Sequence, residues 1–237
     1  MQEEPSVSLN KFISSTGICS RRAADKMIEA GRVRINGAIA KKGNRVYEGD
    51  QVTLDGQQLK ARPSPIYMVF NKPPGVTCTT DQRAPSNIID FIGYPERIFP
   101  IGRLDKPSTG LLLLTNNGDI VNKILRVEHA HEKEYLVTVD RSITATFLRR
   151  MSSGVPILGT ITKRCQVEKL ADNRFRIILT QGLNRQIRRM CEFLGYKVVA
   201  LKRVRIMHIK LAGLAAGKWR MLSPKELDTL LKALSPS

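Results

Sequence analysis

One carboxylate stands out in this chain of 237 residues. Asp105 follows Gly102-Arg103-Leu104 and precedes Lys106-Pro107-Ser108-Thr109-Gly110, which runs straight into Leu111-Leu112-Leu113-Leu114-Thr115. Lys and Arg number 39 against 21 Asp and Glu, a formal net charge of +18 at pH 7. An aspartate beside an arginine in so basic a chain needs a reason, and the apolar strand behind it can hold a reactive loop rigidly. The competing interpretation is a turn or capping aspartate, the commoner role of single aspartates in loops. A second group of candidates is cationic: Gln181-Gly182-Leu183-Asn184-Arg185-Gln186-Ile187-Arg188-Arg189-Met190. On an expected helix over 184–194, Arg185, Arg188 and Arg189 share one side, and a helix N-terminus at Asn184 adds a place for an anion.

The charge points to a polyanionic partner, nucleic acid before acidic membrane. It is unevenly spread: residues 1–60 carry a net +3, so the remainder carries +15, and the segment 181–210 alone carries +7. The larger part of the chain must therefore hold polyanion itself. No apolar run approaches the roughly 18 residues of a membrane span, and the acidic start Met1-Gln2-Glu3-Glu4 carries no expected signal peptide. Cys19, Cys78, Cys165 and Cys191 are widely spaced, which suits reduced thiols in a cytosolic protein. His129 and His131, with Glu128 and Glu132 nearby, have the residue types of a metal site but no third ligand cluster, so no metal is expected. Walker and dinucleotide glycine patterns are absent, as is Gly-x-Ser-x-Gly, so no nucleotide cofactor or acyl-transfer chemistry is expected.

The elements that position these groups fall into two parts. In the first, Ser8 and Ser20 are placed to cap two short helices with Leu9, Phe12, Ile13 and then Ala23, Ala24, Met27, Ile28 inward. Asn36-Gly37 then splits an alternating run into a hairpin. This order, with Lys11, Arg21, Arg22, Arg32 and Arg34 on it, resembles the S4 RNA-binding domain, and those five cations are its expected RNA contacts. A polar stretch with two prolines follows. The expected division is 1–58 for this domain, 59–65 for a linker and 66–237 for a larger domain. There, strands are expected at 66–70, 111–114, 134–139, 161–167, 174–180, 197–211 and near Trp219. Helices are expected over 119–125, from Ser142 to Met151, over 184–194 and after Ser223-Pro224-Lys225-Glu226. Many strands without a regular βαβ repeat indicate an α+β fold, with a mainly antiparallel sheet and flanking helices.

The segment from Gly102 to Thr115 resembles the signature of the RsuA-type RNA pseudouridine synthases, and the likeness extends from about residue 8 to about 230. It implies isomerisation of uridine to pseudouridine in RNA without metal or cofactor. It places the catalytic aspartate on Asp105 and its basic partner on Arg188. It places the tyrosine that packs against the target base on Tyr135, in Lys133-Glu134-Tyr135-Leu136-Val137. Arg103 matches the arginine that enters the gap left by a flipped nucleotide. Asn71-Lys72-Pro73-Pro74-Gly75 matches a further motif, read as scaffold for the loop with Lys72 on phosphate; Asn184, Arg185 and Arg189 are further expected RNA contacts. Large-subunit ribosomal RNA is the expected substrate and transfer RNA the alternative, handled by a cytoplasmic monomer. A non-catalytic RNA-binding ribosome-assembly factor fits the charge and the S4 resemblance equally well, but pure binding needs no carboxylate in a basic groove.

Overall fold

The computed structural model describes residues 5–60, 64–126 and 130–235. Residues 61–63 of the expected linker, the first four residues, and Glu128 and His129 lie outside the described residues. The chain forms two compact units. One runs to Pro65 and includes Pro95–Arg97; the other comprises Ile66–Tyr94 and the chain from Ile98 onward.

In the first unit β1 (Ser6–Ser8) leads into α1 (Leu9–Ser15) and α2 (Arg21–Glu29), followed by β2 (Val33–Ile35), β3 (Ala38–Ile39), β4 (Arg45–Tyr47), β5 (Val52–Leu54) and β6 (Gln57–Gln58). Ser20 caps α2, accepting from the Ala23 N–H at 3.1 Å. Ser8 precedes α1 but makes no cap: its hydroxyl donates to Asn10 Oδ1 instead. Asn36 and Gly37 have φ of 50° and 83°, the paired positive values that a tight hairpin turn between β2 and β3 demands. Leu9, Ile13, Ala24, Ile28, Val33 and Val52 form the core. Leu59, assigned to the linker by composition, is buried in that core, and its N–H donates to Val52 O at 2.9 Å.

The second unit contains β7 (Tyr67–Lys72), α3 (Ile88–Ile92), β8 (Phe99–Ile101), β9 (Thr109–Thr115), α4 (Asp119–Leu125), β10 (Lys133–Val139), α5 (Ala145–Ser153), β11 (Pro156–Ile157), β12 (Thr160–Ile161), β13 (Gln166–Ala171), β14 (Arg174–Leu179), α6 (Gln186–Phe193), β15 (Val198–Ile206), β16 (Ile209–Lys210), β17 (Trp219–Met221) and α7 (Pro224–Leu234). Its sheet runs β13-β14-β10-β15-β9-β7-β17, with β16 on β15 and β8 on β9. Of the described pairings in it, only β9 with β15 is parallel. The fold is thus α+β with a mainly antiparallel sheet. Leu111 and Leu113 enter one hydrophobic cluster, Leu112 and Leu114 another. Successive side chains of a strand point to opposite faces, so burial on both faces explains the unbroken apolar run.

Several local expectations need correction. Thr144 rather than Ser142 caps α5, accepting from the Phe147 N–H at 3.1 Å, while the Ser142 hydroxyl is taken by Asp172. The expected strand over 161–167 is divided between β12 and β13, and that over 197–211 turns at Met207, whose φ is 51°. Helix α6 starts at Gln186, not Asn184, because Arg185 takes a left-handed conformation with φ 51° and becomes the N-cap. The capping box of α7 forms as expected: Ser223 and Glu226 satisfy each other's backbone N–H groups.

Candidate active site

Asp105 sits in the short loop between β8 and β9, and the loop is held from several directions. The Ser108 N–H donates to Asp105 O at 2.9 Å, and the Gly75 N–H donates to Lys106 O at 2.9 Å. Leu104 is buried and its N–H reaches Cys78 Sγ at 3.4 Å. Lys72, at the end of β7, donates through Nζ to the carbonyls of Pro73, Lys106 and Ser108 at 2.9, 3.1 and 2.8 Å. Its side chain is fully buried. This corrects the expected phosphate contact: an ammonium enclosed by three carbonyls has no face for RNA, and Lys72 serves as a tie across the loop. Burial lowers its pKa, opposed by the charges of Cys78 and Asp105.

The Asp105 carboxylate is 29% exposed, and two arginines meet it. Arg188 Nε lies 3.4 Å from Oδ2, and Arg185 Nη1 lies 3.6 Å from the same oxygen. The two cations differ in setting. Arg188 is 14% exposed, and its other nitrogens donate to Ser108 Oγ at 3.1 Å and Val198 O at 3.4 Å. Arg185 is 47% exposed. Arg189, expected on the same side, turns back instead: its Nε donates to Asn184 O at 3.1 Å. The left-handed Arg185 breaks the helical phase that would have aligned all three.

An open cleft of about 460 Å³ lies over the carboxylate, lined among others by Arg103, Asp105, Tyr135, Leu183, Arg185 and Arg188. Tyr135, on β10, packs against two hydrophobic clusters while also facing the cleft. The structure therefore brings Asp105, Tyr135, Arg188 and Arg103 together. An anion flanked by cations beside an apolar-backed ring can accept a planar, neutral ring and stabilise positive charge developing on a bound sugar. Among the described residues no group of three or more His, Cys, Asp or Glu could hold a metal ion; Glu132, from the histidine-rich segment, pairs with Arg205 at 2.9 Å.

In the first unit, Arg21 and Arg22 are exposed in the first turn of α2. Lys11 is half-buried on α1. Arg32 is paired with Asp55, and Arg34 donates to Gly37 O at 2.9 Å. Two residues of the site escaped sequence reasoning as functional groups. Ser108, fully enclosed, is the hydroxyl that seats Arg188. Arg203, on β15, is buried under Tyr135; its inward phase with Leu201 was the available clue.

Comparison with known proteins agrees with this geometry. Residues 66–193 match the RNA pseudouridylate synthase family and residues 7–52 the S4 domain. The chain is 54% identical to the dual-specificity RNA pseudouridine synthase RluF of Escherichia coli (strain K12), over all of this chain and 82% of that protein. It is 33% identical to the ribosomal large subunit pseudouridine synthase B of Bacillus subtilis (strain 168), over 94% of each chain. A crystal structure of a pseudouridylate synthase superposes with a TM-score of 0.69 at 31% identity, covering 94% of this chain and 99% of that one. With a carboxylate in a cationic cleft, an S4 unit preceding it and relatives matched along the full length, this chain belongs to the RNA pseudouridine synthases, the enzymes that isomerise uridine to pseudouridine in RNA.

Proposed function

We propose that the chain isomerises particular uridines of large-subunit ribosomal RNA, with Asp105 as the catalytic carboxylate, working as a cytoplasmic monomer that needs no cofactor. The observation that carries the assignment to Asp105 is its placement: a partly exposed carboxylate lining a cleft, met by two arginines, in a chain of net charge +18. Phosphate repels such a group, so RNA binding alone gives no reason for it.

The reaction breaks the N1–C1′ bond of uridine, turns the uracil and joins C5 to C1′; the proton on C5 is lost and N1 gains one. An ionised carboxylate can bond covalently to an intermediate or stabilise charge as the glycosidic bond opens. In this reading Arg188 orients the Asp105 carboxylate, and Tyr135 supplies the face on which uracil rests while it turns. Arg103 fills the space left by the flipped nucleotide. Arg185 meets RNA phosphate at the mouth of the cleft, with Asn184 and Arg189 beside it, and the S4 cations dock a folded RNA feature. Ribosomal RNA is favoured by likeness to the Bacillus relative, a ribosomal large subunit pseudouridine synthase. The dual-specificity name of the Escherichia relative favours a second RNA substrate as well, for which transfer RNA is the candidate.

The test is pseudouridine mapping of ribosomal and transfer RNA transcripts incubated with the chain and with Asp105→Asn. New pseudouridine at one or a few uridines of large-subunit RNA, absent with the variant although RNA still binds, is the expected result. Equal signal from the variant would overturn the assignment of Asp105, and signal in transfer RNA alone would overturn the ribosomal substrate.

A further inference from the structure

Arg203 is a buried cation that the reaction as described leaves without a task. Its residue is 4% exposed, no carboxylate pairs with it among the described residues, and Nη2 has no hydrogen-bond partner. Lys133, also buried, lies close enough that Arg203 adds to the effect of burial in lowering the lysine's pKa. Enclosing a guanidinium without a counter-charge, beside a second cation, is costly. A methionine of similar length would fill the space without that cost, so the contacts Arg203 makes must matter.

Those contacts join the two strands that carry the site. Arg203 stands opposite Gly110 of β9 in the parallel pairing and opposite Tyr135 of β10 in the antiparallel one. Its Nε donates to Leu111 O at 2.7 Å, and its guanidinium carbon lies 6.0 Å from the centre of the Tyr135 ring. The approach to β9 is so close that a Cβ at Gly110 would fall 2.1 Å from Arg203 O, and Gly110 itself has φ of 101°. Only glycine fits there. The loop immediately before β9 carries Asp105 and Ser108. A single side chain thus spans from the strand that follows the Asp105 loop to the Tyr135 ring, which lines the same cleft, and a cation over an aromatic face fixes that ring by attraction to its quadrupole.

We infer that Arg203 is a positioning residue that sets the plane and distance of the Tyr135 ring relative to Asp105. The inference rests on the reading that Tyr135 supports the uracil. Once the N1–C1′ bond opens, nothing covalent holds the uracil to the sugar, and its turn must end with C5 facing C1′. The ring beneath it limits that motion, so a displaced ring slows the chemical step more than it weakens RNA binding. Small misplacements of this kind cost up to about a hundredfold in rate.

The experiment uses the full chain and a large-subunit ribosomal RNA transcript labelled with tritium at uridine C5, whose release reports bond formation at that carbon. Arg203→Met is expected to lower kcat by about 10- to 100-fold while KM changes by less than about threefold. Arg203→Lys keeps the cation but loses the planar fork, and carries the same measurement if the methionine variant does not fold. Each change is then repeated in Tyr135→Leu. If Arg203 acts through the ring, it costs less than about twofold in that background. A full, additive loss there, with Tyr135→Leu itself impaired, overturns this inference alone and makes Arg203 general scaffold. Wild-type turnover by Tyr135→Leu overturns the reading of Tyr135 and this inference with it.

Discussion

Two arginines at similar distances from one carboxylate should differ sharply in what they contribute. Arg188 stands 3.4 Å from Asp105 Oδ2 and is 14% exposed; Arg185 stands 3.6 Å away and is 47% exposed. For the enclosed pair, an effective dielectric of about 20 gives a gross attraction of roughly 5 kcal/mol. For the solvated pair, a water-like value of about 80 gives about 1 kcal/mol, further reduced by side-chain freedom and salt. Desolvation offsets part of the larger figure. Arg188→Gln should therefore cost about 3 kcal/mol of transition-state stabilisation, about a 150-fold fall in rate; it also removes the contact with Ser108. Arg185→Gln should cost about 0.5–1 kcal/mol, roughly two- to fivefold, and less as salt rises. The assay is single-turnover tritium release with enzyme saturating over RNA, which separates chemistry from binding. Dissociation constants measured in parallel should weaken for Arg185→Gln and stay near wild type for Arg188→Gln. Equal losses for the two variants, or a loss below about threefold for Arg188→Gln, would refute the argument that burial decides which arginine governs the carboxylate.

Two further expectations follow from groups away from the cleft. Lys72→Met removes the donor shared by three carbonyls of the loop, and should destabilise the second unit by about 1–3 kcal/mol, read from urea unfolding, with a parallel fall in turnover; unchanged stability would return Lys72 to a phosphate role. Glu226 is held down to about 2 by its hydrogen bonds with Arg220, against burial, with Ser223 contributing. A depressed carboxylate adds stability that is fully present above its unfolded value of 4.5 and is lost as pH falls towards about 2. Melting temperatures of the chain and Glu226→Gln should therefore be well separated near neutrality and converge through that window; a constant gap would show that the ion pair is not the cause.

Much of the architecture was legible because local chemistry and tertiary demand agree. Asn36-Gly37, the Ser20 cap, the Ser223–Glu226 box and the four consecutive leucines each specify one local conformation, and each formed it. Element ends were less legible where two residues compete for one role. Ser142 and Thr144 are both able caps, and Asp172, thirty residues away in the chain, decides between them by taking the Ser142 hydroxyl. Short strands such as β1 and β8 carry too few residues for a period of two to show.

For the site, Asp105 was marked by its own segment, whereas Tyr135 and Arg188 were singled out by resemblance to family motifs, since a strand tyrosine and a helical arginine are otherwise ordinary. What sequence order does not carry is depth. Lys72 and Arg103 look equally available to phosphate as letters, yet one is sealed among carbonyls and the other lines the cleft. The same holds for Arg185, Arg188 and Arg189: helical spacing groups them, but a left-handed Arg185 sends two to the carboxylate and lets the third fold back on Asn184. Arg203 reaches Leu111 only because β9 and β15, about ninety residues apart, lie side by side. Residue type and spacing determine which groups can react; burial and strand pairing, which depend on contacts distant in the chain, decide which of them do so and which hold the others in place.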